Sequence, residues 1–115
     1  MNYVSGFVAA VPTANKQAYI EFSEKMVDYF KKLGAVRVTE GWGEDVPDGE
    51  VTSFPMAVKK EDNETVVFSW MEWPDKATCD KAMEFMFSDT SMSGQDMPLD
   101  GKRMIFGGFQ LIVDR

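Results

Sequence analysis

Four carboxylates, Glu44, Asp45, Asp48 and Glu50, crowd one short stretch of the chain. Oxygen ligands of this kind suit hard cations such as calcium or magnesium, or acid–base work. Their spacing does not match an EF-hand loop, and the plainer reading is a solvated acidic turn in which Asp48 serves turn geometry. Lys102 and Arg103 follow an Asp100-Gly101 turn at the start of an extended segment. Arg103 could fork onto the carboxylate of a ligand, or it could bridge to Asp45 or Asp48 and tie two loops together. Asp45, Asp48, Lys102 and Arg103 are therefore expected to meet at one end of a sheet. Lys59 and Tyr3 complete the polar candidates for a ligand pocket. Trp42, Trp70 and Trp73, with Tyr3, could line an aromatic pocket for a planar organic molecule. The plainer reading is that they fill a core and a subunit interface, where aromatics are expected.

The chain contains no histidine. Ser-His and Cys-His nucleophile pairs are thereby removed, along with His-ligated haem, facial-triad iron and ordinary zinc sites. No metal site and no cofactor is expected, and any proton transfer falls to Asp, Glu, Lys, Tyr or Cys. The single cysteine, Cys79, sits on the apolar stripe of a helix and reads as an inert core thiol.

Net charge is −7, from 19 acidic and 12 basic residues, and the basic residues are scattered. Nucleic acid needs clustered Lys and Arg to neutralise phosphates, and an anionic membrane surface needs the same. Neither is expected as a partner. The first residues carry no basic segment followed by a long apolar run, so neither a signal peptide nor a membrane span is expected. One cysteine cannot form an internal disulfide, which suits the reducing cytoplasm. The 115 residues, 44% of them apolar, suffice for one domain with a true core.

Tyr3 to Val11 is apolar on both parities and reads as a strand ended by Pro12. Tyr19, Phe22, Met26, Phe30 and Leu33 recur at spacings of three and four, which predicts a helix from about Asn15 to Leu33 with Gly34 beyond its end. Residues 36–42 alternate apolar and polar, as a strand with one wetter face does. After the acidic loop, 54–60 is expected to resume as a strand and to form a hairpin with 65–73 across a polar turn at Glu61-Asp62-Asn63-Glu64. A second helix spans 75–88, with Asp75 as its cap. A loop runs from Asp89 to Leu99, and a last strand, apolar on both parities, runs from Lys102 to Val113.

This order predicts an α+β fold, the ferredoxin-like βαββαβ antiparallel sheet with two helices on one face. Two helices cover only one sheet face, yet three strands are apolar on both. A second sheet is expected to cover the open face, supplied by a second copy in a twofold homodimer.

Several segments carry a resemblance. They are Tyr3-Val4-Ser5-Gly6-Phe7-Val8-Ala9-Ala10-Val11-Pro12, Trp42-Gly43-Glu44-Asp45-Val46-Pro47-Asp48-Gly49, Val67-Phe68-Ser69-Trp70 and Met97-Pro98-Leu99-Asp100-Gly101-Lys102-Arg103-Met104. Together they resemble the bacterial YbaA-like domain-of-unknown-function family over nearly the whole chain. The resemblance implies the dimeric α+β barrel superfamily and brings no established activity or catalytic residues. That superfamily includes small monooxygenases, isomerases and haem enzymes. Two function classes follow: a small-molecule binder or cofactor-independent enzyme, or a non-catalytic dimeric module for a metabolite or protein partner.

Overall fold

Apolar side chains on both parities place β1 (Tyr3–Pro12) in the interior of a sheet, where it pairs on either side. A computed structural model describes residues 2–88 and 97–115. Its elements are β1, α1 (Lys16–Lys32), β2 (Arg37–Trp42), α2 (Phe54–Ala57), β3 (Glu64–Trp73), α3 (Lys76–Ser88) and β4 (Ile105–Gln110). The four strands form one sheet in the order β2-β3-β1-β4, with all pairings antiparallel. This is the ferredoxin-like arrangement that the sequence predicts. Lys31 and Lys32 in the last turn of α1 suit its dipole, and Gly34 beyond it takes φ +113°, which a Cβ would strain.

Register fixes the faces. Trp73, Met71, Ser69, Val67 and Thr65 of β3 lie opposite Tyr3, Ser5, Phe7, Ala9 and Val11 of β1. The long helices pack on this face. Trp73, Met71 and Ala35 form a core with Cys79 and Ala82 of α3, against Phe30 and Leu33. Tyr19 of α1 packs with Ala9, Val11 and Val67. Trp73 is wholly buried, and its indole N–H donates to Ser5 Oγ at 3.0 Å, so no donor is stranded.

The opposite face carries Val4, Gly6, Val8 and Ala10 of β1 and Val66, Phe68 and Trp70 of β3. Val58, just after α2, covers one corner of it with Val8, Ala10 and Val66. The remainder is an open apolar groove of about 780 Å³, lined by Val4, Phe68, Trp70, Ile105 and Phe109 among others. Phe68 and Ile105 are each 45% exposed there and Phe109 58%.

Two expectations are corrected. Residues 54–60 do not form a strand: Ser53 caps the single turn α2 by accepting from the Met56 N–H at 3.1 Å, and Pro55 fits the first turn, where its missing N–H costs nothing. The hairpin partner of β3 is therefore β2, with Trp42 opposite Val67. The last strand is shorter than 102–113, because a 3-10 turn, Gly101–Arg103, precedes Ile105. Most of the loop expected from Asp89 to Leu99, namely 89–96, lies outside the described residues.

Candidate functional site

Arg103 is held by the chain's own acceptors. Its Nη1 donates to Glu64 Oε1 at 2.7 Å and to the Lys59 carbonyl at 2.9 Å, and its Nη2 donates to Glu64 Oε2 at 2.6 Å. Nε donates to Asp100 Oδ2 at 3.1 Å. Four of its five N–H groups are thus engaged. Glu64 is 6% exposed. The Arg103 hydrogen bonds hold its carboxyl below the usual range, although burial opposes them. Lys59 takes a left-handed φ of 49°, and its carbonyl meets the guanidinium. Lys102 contributes its backbone N–H to Asp100 Oδ1, while its side chain is exposed.

Asp45 and Asp48 do not join this cluster. Both are exposed, and among the described residues neither has an ion-pair or hydrogen-bond partner. The expected bridge from Arg103 to Asp45 or Asp48 is replaced by Glu64 and Asp100. Strand order gives the reason. The acidic loop starts from β2 at one sheet edge and Arg103 precedes β4 at the other, and these two strands stand three strand spacings or about 14 Å apart. Glu64 starts the interior strand β3 beside the end of β1, close to the Arg103 turn. Among the described residues no three acidic or Cys side chains gather as a metal cage.

The sheet also divides the aromatic set. Trp42 and Trp73 face the helices, while Trp70 lies on the open face against Phe68, ring centroids 5.5 Å apart. Tyr3 packs beside the Trp73 core, its hydroxyl over Gly108. These four rings do not line a common pocket.

A polar constellation that the motifs did not single out lies under α1. Tyr19 Oη donates to Glu40 Oε1 at 2.5 Å, and Ser69 Oγ reaches Glu40 Oε2 and the Thr39 carbonyl, each at 2.9 Å. Glu40 is directly opposite Ser69 across β2 and β3. Tyr19 is 4% exposed and Ser69 1%. Glu40 stands on the edge strand and remains exposed as a residue while its head reaches these hydroxyls. Desolvation raises its pKa, against the lowering effect of the Tyr19 and Ser69 hydrogen bonds. The Tyr19 hydroxyl is pushed far above its ordinary value, by burial first and then by Glu40, and stays protonated. Among described carboxylates with a resolved shift, Glu40 is raised, whereas Glu64, Asp75 and Asp100 are lowered. Trp42 follows on the same face, its ring 6.3 Å from that of Tyr19, and Lys16 Nζ lies 5.5 Å from the Trp42 centroid. The sequence held one signal for this site. Glu40 shares parity with Val38 and Trp42, and Ser69 with Val67 and Met71, so each is a polar residue on an apolar parity.

A family model described as a protein of unknown function (DUF1428) matches residues 2–101. The chain is 55% identical over 116 aligned positions to the uncharacterised protein YbaA of Escherichia coli K12, covering 99% of both chains. The YbaA protein of Shigella flexneri gives the same identity and coverage. A crystal structure described as a dimeric ferredoxin-like protein from an uncultured marine organism superposes with a TM-score of 0.65 at 10% identity, covering 99% of this chain and 98% of that one. The YbaA-like resemblance and the ferredoxin-like fold are thus both borne out. No described helix is long and apolar enough to cross a membrane.

Proposed function

The chain belongs to the DUF1428 family of proteins of unknown function, and on that premise we propose that it is a cytoplasmic homodimer that binds a small organic molecule on the helix side of each sheet. The carrying observation is Glu40: a residue exposed on the edge strand whose carboxyl is hydrogen-bonded to two buried hydroxyls, is raised in pKa by desolvation and forms no ion pair among the described residues. A reachable ionisable group perturbed by desolvation, with specific hydrogen-bond partners beside it, is the kind of group on which binding sites are built. The Tyr19 and Ser69 hydroxyls orient the carboxylate and leave its remaining lone pairs for a ligand.

The homodimer rests on the open sheet face. Its contiguous apolar groove calls for a cover, and the fold neighbour is described as dimeric. Two such faces brought together would bury Phe68, Ile105 and Phe109 and leave the Glu40 sites outside the interface. The buried free thiol of Cys79 suits a reducing compartment.

The test is a thermal-shift screen of small organic molecules against the wild type and Glu40→Gln. Compounds that raise the melting temperature of the wild type and leave the variant unmoved support the reading. A set of ligands that stabilises both proteins equally overturns this location for the site.

A further inference from the structure

We propose that the corner between Glu40 and Trp42 is a site for an organic ammonium ion, with the side chain of Lys16 as its resident occupant. This deepens the ligand-binding reading above and rests on it.

Glu40 and Trp42 are two residues apart on one strand, so both side chains leave the same face of β2 about 7 Å apart. That span suits an ammonium head that touches a carboxylate while its methyl or methylene groups lie on the indole. Each Glu40 oxygen faces a single hydroxyl, and the one Ser69 proton is shared with the Thr39 carbonyl. A carboxylate has about four acceptor positions, so about two stay open. No Lys or Arg among the described residues forms an ion pair with it, and Lys16 meets only the indole side of the corner. A half-desolvated, unpaired carboxylate favours a cation over a neutral donor or an anion.

The indole face already holds an ammonium group. Lys16 Nζ lies 5.5 Å from the Trp42 centroid, the arrangement of a cation–π contact. Lys16 opens α1 and is exposed, so its flexible stem can swing into water and release the ring. Tyr19, one helical turn further on, sets its ring at 48° to Trp42 and forms a second wall. The net charge of −7 draws cations toward the surface and repels carboxylates. The ligand class is therefore a primary or quaternary ammonium with a short apolar stem.

The experiment follows the indole N–H signals of the three tryptophans by two-dimensional NMR. The probes are n-butylammonium chloride, n-butanol and sodium butyrate at constant ionic strength. The expected result is a saturable shift of the Trp42 signal with butylammonium, with Trp73, bonded to Ser5, unmoved. Glu40→Gln should weaken that binding about tenfold or more by removing the charge-assisted contact. Lys16→Met removes the internal competitor and should tighten it by roughly two- to fivefold. If Glu40→Gln fails to fold, as judged by the Trp73 signal, Lys16→Met carries the test alone. Weaker or unchanged binding in Lys16→Met overturns the resident-occupant model. Trp42 shifts as large with butanol or butyrate overturn the ammonium class and leave the wider ligand-binding reading standing. No saturable shift with butylammonium up to about 100 mM, the dissociation constant that about 1.4 kcal/mol of binding would give, also overturns the class. The wider reading is then judged by the thermal-shift comparison.

Discussion

Arg103 grips the buried carboxylate of Glu64 with two parallel hydrogen bonds, 2.7 and 2.6 Å long, across 39 residues of sequence. The pair joins the turn before β4 to the start of β3, and the Lys59 carbonyl and Asp100 complete it. Bidentate geometry and a nearly inaccessible carboxylate make this pair worth more than a surface ion pair.

Replacing Arg103 by Ala should lower the melting temperature by roughly 5–10 °C, because it leaves Glu64 desolvated and unpaired. Lys at this position restores the charge without the fork and should recover only part of the loss. Calorimetry decides: a melting temperature within about 2 °C of the wild type, the scatter expected of a neutral surface change, would show that the clamp is idle.

Two carboxylates give stability opposite dependence on pH. The Glu64 carboxyl is depressed, so its contribution is present above the unfolded value of about 4.3 and is lost as pH falls through the folded value. The Glu40 carboxyl is raised, so its cost is absent in acid and grows as pH rises from about 4.3 through the folded value. Gln at position 40 can accept from Tyr19 and donate toward Ser69 without that charge. Thermal melts between about pH 4 and 8 should therefore show Glu40→Gln gaining on the wild type as pH rises. A constant offset would mean that Glu40 titrates normally.

Tyr19→Phe removes the hydroxyl that Glu40 Oε1 accepts from. Loss of a hydrogen bond to a charged group predicts about 1–2 kcal/mol of destabilisation in denaturant unfolding. The Glu40 carboxyl, deprived of a donor, should titrate still higher, as carbon-13 NMR of the side-chain carboxyl can read. An unchanged titration would break the link between the two residues.

The open sheet face predicts a sedimenting species of twice the 13.0 kDa chain mass at micromolar concentration. Ile105→Asp and Phe109→Asp each place a charge on that face and should give folded monomers. A wild type that is already monomeric would refute the sheet-to-sheet homodimer.

Cys79 is 3% exposed, and burial raises its thiol pKa. Its reaction with an aromatic disulfide reagent should be slow in the native protein and rapid in urea, with a rate that follows opening of α3 from the sheet. Fast native labelling would contradict this packing.

The sequence by itself determined the periodic elements. The stripe from Tyr19 to Leu33 defined α1, the β-branched and aromatic run defined β3, and two-sided apolar strands implied a sheet face in need of cover. These are local properties: a period of 3.6 or 2 is written in neighbouring residues and needs no knowledge of the partner. The tertiary structure decided the pairings. Arg103 could reach several carboxylates on paper; strand order put the acidic loop at the far edge and Glu64 beside it. Phe54, Met56 and Val58 recur at strand spacing, but the Ser53 cap and Pro55 turn the chain there, and β2 takes the edge of β3 instead. Tyr19, Glu40 and Ser69 lie 21 and 29 residues apart and carry no shared motif. They meet because the register of β2 on β3 places Glu40 opposite Ser69 and α1 crosses above them. Register and crossing are set by the burial of whole faces, which no single segment encodes.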